Sequence, residues 1–179
     1  MDSRTGRLDT SPAAERPDLL ALTVAAGIAH VPDALVAEIE PALADTAAMC
    51  AAYDLPLSTS ANCVVVTGRR AGVDKHAACV VLATTRADVN GLVRRRLGAR
   101  KASFAAADFA TEATGMEYGG ITPVGLPADW LLLVDSAVVA TPVVVVGSGL
   151  RRSKLLLPGA TLAALPAVEV IDGLGVPPV

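Results

Sequence analysis

The sequence contains few aromatic residues, few histidines and no obvious cysteine pairs, and each shortage excludes a class of protein. Aromatic residues make up 3% of the 179 residues, and there are two histidines and three cysteines. Cys50, Cys63 and Cys79 are odd in number and lack C-x-x-C spacing, which argues against disulfides and zinc and favours buried thiols in a reducing compartment. We therefore expect a cytoplasmic protein with no metal and no cofactor.

Long apolar runs are also missing, although 53% of the residues are hydrophobic. The longest uncharged stretch, residues 136–150, contains Pro142 and Gly147 and is shorter than the ~20 residues of a membrane-spanning helix. No membrane partner is expected. Much of the apolar content is alanine, so valine, leucine and isoleucine must interdigitate closely to fill a core. The length favours one compact domain, which we place at residues 19–179.

The first part of the chain is polar and acidic. Residues 1–18 are rich in Asp, Arg, Ser, Thr and Pro, which predicts a disordered or loosely packed N-terminal tail. A signal peptide with its apolar region at residues 19–29 is the alternative. It is disfavoured because Asp9, Glu15 and Asp18 make the preceding segment acidic where a basic one is required.

Charge is distributed unevenly along the chain. Residues 1–60 hold nine acidic and three basic side chains, whereas residues 61–179 hold nine acidic and twelve basic ones. The net charge is therefore −6 in the first part and +3 in the second. The second part is suited to face an anionic partner.

The order of apolar patterns predicts an α/β fold with a mixed, partly antiparallel sheet and surrounding helices. Strands are predicted at residues 35–39, 63–67, 77–83, 131–135, 143–146, 154–157 and 168–171. Helices are predicted at residues 41–53, 88–98, 104–114 and 161–165. The runs at 63–67 and 77–83 flank a turn-like segment and predict a hairpin, whose short connection excludes parallel pairing.

Common catalytic motifs are absent, and one loop stands out instead. The sequence has no G-x-S-x-G, H-E-x-x-H or phosphate-binding glycine motif. His30 and His76 have no acidic or cysteine partner at ligand spacing, so no metal site is expected. Residues 115–126 contain four glycines and a proline. Bare peptide N–H groups in such a loop can hold a carbonyl oxygen or an oxyanion, although the composition alone also fits an ordinary turn.

Five short motifs occur in a recognisable order. They are residues 100–105 (RKASFA), 114–115 (TG), 119–125 (GGITPVG), 134–135 (VD) and 146–149 (VGSG). Together they resemble the YbaK and prolyl-tRNA synthetase-associated editing-domain superfamily of aminoacyl-tRNA deacylases, over roughly residues 33–172. The resemblance implies the fold of that superfamily, a role in translation fidelity and hydrolysis of mischarged tRNA.

The resemblance also implies a site. Residues 119–123 look like the G-x-x-x-P loop that surrounds the aminoacyl group in the family. Asp135 stands where the family has an aspartate at the end of a central strand, and residues 148–149 resemble the G-x-G edge of the pocket. Two residues of the loop are assigned a catalytic role, namely Gly120 and Thr122. Substrate binding is assigned to Gly119, Ile121, Pro123, Asp135, Ser148 and Gly149.

One position departs from the family pattern. The family carries a lysine at the start of the first hairpin strand, whereas this chain has Asn62 there, or Ala61 if the register shifts by one residue. A charge-assisted hydrogen bond is worth roughly 1.5–3 kcal/mol and a neutral one about 0.5–1.5 kcal/mol. The exchange therefore costs about an order of magnitude in rate or phosphate affinity. We still assign Asn62 a catalytic role through its amide, and Lys101 is the candidate for a replacement cation and substrate contact.

Basic side chains cluster in two places, at residues 94–100 and at residues 151–154. Such clusters can contact the phosphates of a tRNA acceptor end, although a solvated helix face and a turn explain them equally well. The residues assigned to tRNA binding are Arg100, Arg151, Arg152 and Lys154.

The function predicted from the sequence is a free-standing deacylase that edits mischarged tRNA in trans, with tRNA(Pro)-type substrates. A synthetase pocket separates amino acids that differ by one methylene by only ~1–3 kcal/mol, so a second, hydrolytic site is needed. Because the ester is already activated, positioning and backbone donors suffice without a Ser/His/Asp triad. The expected partners are the tRNA acceptor end and a synthetase in trans, not DNA. Two alternatives stay open: a binding module that lost hydrolysis because of Asn62, and an esterase or amidase for small molecules.

Overall fold

The computed structural model describes residues 5–178, and its strands form two main sheets. The strands are β1 (Thr10–Pro12), β2 (Leu35–Glu38), β3 (Ala61–Arg70), β4 (Val73–Leu82), β5 (Arg86–Ala87), β6 (Lys101–Phe104), β7 (Leu131–Asp135), β8 (Val144–Gly147), β9 (Ser153–Leu157), β10 (Val168–Ile171) and β11 (Gly175–Val176). The first sheet has the order β1-β2-β9-β8 and is antiparallel throughout. The second has the order β10-β7-β4-β3-β6, with parallel pairs from β10 to β4 and antiparallel pairs beyond. The predicted α/β class with a mixed sheet is confirmed.

Short helices connect the strands. The α-helices are α1 (Leu22–Gly27), α2 (Thr46–Ala52), α3 (Arg94–Arg96), α4 (Ala107–Thr114) and α5 (Ser136–Val139), and a π-helical turn at Val89–Val93 leads into α3. The 3-10 turns are Ala13–Glu15, Pro17–Leu19, Ile28–His30, Pro41–Leu43, Leu57–Thr59 and Gly159–Ala164. Within residues 5–178, no helix is both long enough and apolar enough to cross a membrane.

The predicted hairpin is present, and it is longer than the apolar runs indicate. β3 and β4 pair over ten residues each, so only Ala71 and Gly72 form the turn. At that end the guanidinium of Arg69 donates to both carboxylate oxygens of Asp74, at 2.6 and 2.7 Å. The polar residues between the two apolar runs, predicted as a turn-like segment, are therefore mostly paired strand residues. A cross-strand ion pair stabilises this end of the hairpin in place of apolar contacts.

Two predicted helices are shorter than expected because neighbouring groups interrupt them. Residues 104–114 form a helix only from Ala107, since Phe104 belongs to strand β6 and pairs with Val66 of β3. Residues 41–53 split into a 3-10 turn and α2. The break occurs at Asp45, whose carboxylate accepts hydrogen bonds from the first peptide N–H groups of α2.

The beginning of the chain differs from the expected loose tail. In the described part of that segment, β1 pairs with β2, and Leu8 and Ala13 are only 7% and 1% exposed. Two small apolar anchors and an edge strand thus hold a segment whose overall composition is polar. Residues 1–4 of the predicted tail, and Val179 of the predicted domain 19–179, lie outside the described residues.

The main core lies between the two sheets, and this placement creates the site. Its fully buried members include Val24, Val36, Val80, Val134 and Leu155. A bridge between Ser60 and Val145 links the two sheets. Ser60 lies between the 3-10 turn Leu57–Thr59 and the start of β3, and Val145 belongs to β8. Beside this bridge the apolar packing stops and a cavity opens.

Candidate functional site

A cavity of about 670 Å³ lies where strands β3, β8 and β9 meet the start of α2 and residues 115–126, called here the glycine-rich loop. This volume is within the range of small-molecule sites, which is roughly 300–1,000 Å³. Its polar wall is formed by Asp45, Thr46, Asn62, Gly119, Arg151 and Lys154. Two exposed aromatic side chains, Phe104 and Tyr118, stand at its edge.

Lys154 is a buried cation in the cavity wall. It is 5% exposed, and its Nζ donates to the carbonyl oxygens of Ala44 at 3.2 Å and Gly119 at 3.4 Å. None of the ion pairs among residues 5–178 involves it. Burial, and next the positive charge of Arg151, lower the pKa of Lys154. The negative charge of Asp45, in the same cavity, opposes this lowering of the pKa without forming an ion pair with Lys154. A buried ammonium with no directly paired carboxylate is suited to bind an anion or a developing negative charge.

Asn62 faces the same cavity and is held in place by a hydroxyl. The Oγ1 of Thr46 donates to the Oδ1 of Asn62 at 2.7 Å. In this amide orientation the NH₂ group of Asn62 is left to donate to a ligand. Thr46 is in turn fixed by its place at the start of α2, directly after the capping Asp45.

The glycine-rich loop is fastened to the segment after β8. The N–H of Glu117 donates to the carbonyl of Gly149 at 2.8 Å, and the N–H of Gly149 donates to the carbonyl of Gly120 at 2.7 Å. The carboxylate of Glu117 accepts from the N–H of Arg151 at 2.6 Å, and the Arg151 guanidinium donates to the carbonyl of Tyr118 at 3.0 Å. These bonds preorganise the loop before any ligand binds.

Two residues of the loop that line the cavity have peptide N–H groups without a hydrogen-bond partner. In the described part of the chain, the N–H groups of Gly119 and Ile121 have no hydrogen-bond partner, and both residues line the cavity. The N–H of Gly120 donates to Glu117 at 2.9 Å and is not available. Backbone donors of this kind can stabilise an oxyanion without reorganisation.

The thiol at the cavity is not a nucleophile. Cys63 lines the cavity, and burial, aided by the nearby Cys79, raises the pKa of its thiol far above the usual range. Burial also raises the pKa of Cys79 to about 12. Both therefore stay protonated at neutral pH, and the thiolate is the reactive form. Among residues 5–178, no three His, Cys, Asp or Glu side chains group as metal ligands.

Comparison with known proteins identifies the family. The sequence model of a family described as the aminoacyl-tRNA editing domain matches residues 40–165, which is more than half of the chain. The chain belongs to the aminoacyl-tRNA editing domain family. The predicted resemblance to the YbaK-type editing domains is thereby confirmed.

Solved structures share the fold of this editing domain. One, described as "a putative trans-editing enzyme for prolyl tRNA synthetase", is 23% identical with a TM-score of 0.68, and the match covers 90% of this chain and 96% of that one. A hypothetical protein, APE2540, is 23% identical with a TM-score of 0.67, covering 76% and 88%. At these identities the likeness concerns the fold alone. No curated protein sequence gives a significant match.

The editing domain brings some of the predicted site residues together. The cavity is lined by Asn62, Gly119, Ile121, Arg151 and Lys154. The sequence predicts that Lys154 binds tRNA phosphates, whereas the structure buries it on β9, an inner strand between β2 and β8. A signal was present in the sequence, since Lys154 is the single charged residue of β9 and directly precedes three leucines.

Other residues of the predicted loop lie behind the cavity wall. Thr122 and Pro123 are buried and do not line the cavity, and the Thr122 hydroxyl has no hydrogen-bond partner in the described structure. Gly120 also lies behind the wall, where a Cβ would stand 2.8–2.9 Å from backbone atoms of Gly149 and Leu150. These residues shape the loop and do not face the cavity.

The predicted G-x-G edge is likewise structural. The Ser148 hydroxyl is fully buried and contacts the Ser153 hydroxyl at 2.8 Å. Gly149 lies against α1, where a Cβ would collide with Ala21. Of this motif, Gly147 is the member that lines the cavity.

Three predicted cations lie elsewhere on the editing domain. Lys101 and Arg100 line a groove at the tip of the β3–β4 hairpin, so Lys101 does not supply the missing cation to the cavity. Arg152 donates to the backbone carbonyl of Asp18 at 2.5 Å, on the side where the N-terminal segment packs. Of the predicted cations, Arg151 and Lys154 line the cavity, and Lys154 is the buried one.

Asp135 is a structural cap and does not line the cavity. Its carboxylate accepts hydrogen bonds from the N–H groups of Ala137 at 2.8 Å and Gly175 at 2.5 Å, which joins α5 to β11. Replacing Asp135 with alanine is expected to lower the free energy of unfolding by about 1–3 kcal/mol, because a helix cap is lost and the partly buried N–H of Gly175 is left unpaired. Urea denaturation measures this loss. An unchanged midpoint together with lost deacylation would contradict the structural role.

Proposed function

We propose that the protein is a free-standing deacylase that acts in trans on the ester bond of mischarged aminoacyl-tRNA. The observation that carries the proposal is the convergence of Lys154 with two unpaired peptide N–H groups, those of Gly119 and Ile121, on one cavity. Membership of the editing-domain family supports mischarged tRNA as the substrate class. The description of the structural neighbour as a trans-editing enzyme for prolyl tRNA synthetase supports tRNA(Pro)-type substrates.

The proposed reaction uses water as the nucleophile. The ester carbonyl oxygen accepts hydrogen bonds from the N–H groups of Gly119 and Ile121, and the Lys154 ammonium stabilises the negative charge that develops there. Water attacks the carbonyl carbon, the bond from that carbon to the ribose oxygen breaks, and the proton of water passes to the ribose oxygen. Asn62 donates to a ribose hydroxyl and orients the ester. The products are the free amino acid and uncharged tRNA.

The reducing environment indicated by the free cysteines, and a tRNA substrate, favour a cytoplasmic location. We further propose that residues 19–179 act as one editing unit, with the preceding segment as an added edge of its first sheet.

Arg151 supports the site indirectly, since its guanidinium donates hydrogen bonds to the carbonyls of both Tyr118 and Pro41 at the mouth of the cavity.

The function is tested by incubating the protein with Ala-, Cys- and Ser-tRNA(Pro) and following loss of the ester. At least one substrate is expected to be hydrolysed more than tenfold faster than its spontaneous rate. Correctly charged Pro-tRNA(Pro) serves as the control and is expected to persist. Spontaneous rates for all three mischarged substrates would overturn the enzyme assignment. Turnover of simple aminoacyl esters with no dependence on tRNA or salt would instead favour the small-molecule esterase.

A non-catalytic binding module is the second candidate, and the uncharged Asn62 is the observation that favours it. The two candidates predict opposite results for Asn62→Lys. In an enzyme that uses Lys154, a second ammonium in the same cavity is expected to lower the rate, because like charges disfavour each other's protonation. In a module that lost hydrolysis with its lysine, Asn62→Lys is expected to create activity. Kinetics of wild type and variant on the same mischarged tRNA separate the two.

Asn62→Ala provides a companion measurement to Asn62→Lys. Loss of one neutral hydrogen bond worth about 0.5–1.5 kcal/mol is expected to reduce kcat/KM roughly two- to tenfold. The Thr46 hydroxyl, which now donates to Asn62, can turn to solvent in the cavity, so the fold is expected to persist. An Asn62→Ala variant with full kcat/KM would remove this residue from the proposed mechanism.

A further inference from the structure

A second basic region lies outside the cavity, at the tip of the β3–β4 hairpin. Residues 61–104 hold nine basic and two acidic side chains, so this part of the chain alone carries a net charge of +7. Arg70, Arg100 and Lys101 line an open groove there, and all three are exposed. In the described structure the side chains of Arg100 and Lys101 have no hydrogen bond or ion pair, so their charges are free to meet phosphates.

Strand β6 connects this groove to the cavity. Lys101, at its first residue, lines the groove, and Phe104, at its last, lines the cavity edge. At ~3.3 Å per residue these two positions are about 10 Å apart. Three nucleotides of one strand span about the same length at ~3.4 Å each. Lys101 and Phe104 are three residues apart, so their side chains point to opposite faces of the sheet. Because β6 is the outer strand, a ligand that lies along its free edge can contact both side chains.

The cavity end of this path carries exposed aromatic rings. Phe104 is 60% exposed and Tyr118 is 68% exposed, and both stand at the cavity edge. They are two of only five aromatic residues in the chain. Proteins that bind single-stranded RNA commonly combine exposed aromatic rings with basic side chains. The bases stack on the rings, and the phosphates contact lysine and arginine.

We propose that β6 and the hairpin tip form the docking surface for the 3′-terminal strand of an RNA. Phe104 and Tyr118 stack the terminal bases at the cavity, while Arg100 and Lys101 bind backbone phosphates on the side away from it. The inference rests on the proposed function for the identity of the RNA, since the cavity would receive the ester at its 3′ end. An acidic protein segment would satisfy the cations, but it would leave the aromatic rings without a stacking partner.

Binding of uncharged RNA tests the phosphate contacts without any ester chemistry. The probe is an RNA stem-loop with four unpaired nucleotides at its 3′ end, followed by fluorescence anisotropy at several salt concentrations. The double variant Arg100→Gln, Lys101→Gln is expected to bind at least tenfold more weakly at low salt, with the slope of log K against log salt reduced by about 1 to 2. The control is Arg86→Gln, an exposed arginine beyond the other end of β4, which is expected to bind as wild type does.

Phe104→Ala tests the stacking contact. Roughly tenfold weaker binding is expected for the RNA with unpaired nucleotides, and no change for a blunt-ended stem-loop. Leu22→Ala, which truncates a side chain that is 89% exposed, controls for loss of exposed apolar surface. Equal losses for both RNA forms, or for both variants, would overturn the stacking assignment.

The outcomes separate this inference from the proposed function. Wild-type affinity and salt slope in the Arg100, Lys101 double variant would overturn the docking surface even if the protein hydrolyses mischarged tRNA. RNA binding that weakens as expected, in a protein that hydrolyses none of the panel, would support the surface and reject the deacylase. Binding of polyglutamate tighter than binding of the RNA would reassign the groove to an acidic protein partner and overturn the inference.

Discussion

Replacing Lys154 with methionine is expected to reduce hydrolysis of mischarged tRNA by about 10²–10³-fold while leaving the fold intact. Removal of one preorganised donor to an oxyanion typically costs this much in rate. Methionine has a similar length and fills the same space, and Ala44 and Gly119, whose carbonyls Lys154 contacts, both line the cavity. The measurement is single-turnover deacylation of the substrate that wild type hydrolyses fastest.

Lys154→Met is expected to lose activity without losing thermal stability. Lys154 has a pKa below its ordinary 10.5 because burial disfavours the charged form. The folded state therefore loses this proton at lower pH than the unfolded chain does, and wild-type stability rises with pH across that window. Since methionine carries no charge to bury, Lys154→Met is expected to equal or exceed wild type in Tm at neutral pH. Any advantage is expected to shrink as the pH approaches 10.5.

The pH dependence of activity gives an independent signature of the same residue. As the pH rises through the lowered pKa of Lys154, the ammonium is lost, so the ratio of enzymatic to spontaneous hydrolysis is expected to fall. In Lys154→Met this ratio is expected to stay flat. The exposed Lys75 offers a matched control, and at saturating protein Lys75→Met is expected to keep the wild-type single-turnover rate. Unchanged deacylation in Lys154→Met would remove the cation from the mechanism.

Gly147→Ala is expected to abolish most activity by displacing the loop that carries the two backbone donors. A Cβ on Gly147 would overlap the carbonyl oxygen of Gly120 and lie 2.6 Å from that of Ile121. These are backbone atoms and cannot rotate away, so the loop must move from β8. A displacement near 1 Å at the donors is enough to reduce the rate about 10²-fold, and the overpacking is expected to cost about 1–3 kcal/mol of unfolding free energy.

A second glycine separates steric displacement from backbone strain. Gly173 has φ +74°, and a Cβ there would meet no atom within 4 Å. Gly173→Ala is expected to cost about 1–2 kcal/mol through the left-handed conformation alone and to retain full activity. Denaturation and deacylation assays on both variants check this pair. A Gly147→Ala protein with wild-type kcat/KM would show that the loop does not place the catalytic donors.

Local features of the fold could be predicted because they depend on neighbouring residues. Asp88 precedes an apolar helical pattern, and its carboxylate accepts from the N–H groups of Gly91 and Leu92 as a cap should. Helix α4 ends at Gly115, whose φ of +66° is the left-handed conformation expected of a C-terminal glycine. The strand β10 was predicted at the residues where it lies. The start of the chain was not, because a short edge strand depends on partner residues that lie 23 to 27 positions away.

The candidate site shows the same contrast between features that depend on neighbouring residues and features that depend on residues distant in sequence. The sequence by itself determined the family, the glycine-rich loop and the position of Asn62 at the start of a hairpin strand. Only the tertiary structure decided which cation serves the cavity, because Lys101 and Lys154 look alike in sequence and differ in which strands they pair with. Lys154 lies on an inner strand, next to β2 and β8, and is held beside Gly119. Lys101 lies on an outer strand, away from that loop. Strand order follows from pairing between distant segments, and the apolar periodicity of one strand does not specify which distant strand lies beside it.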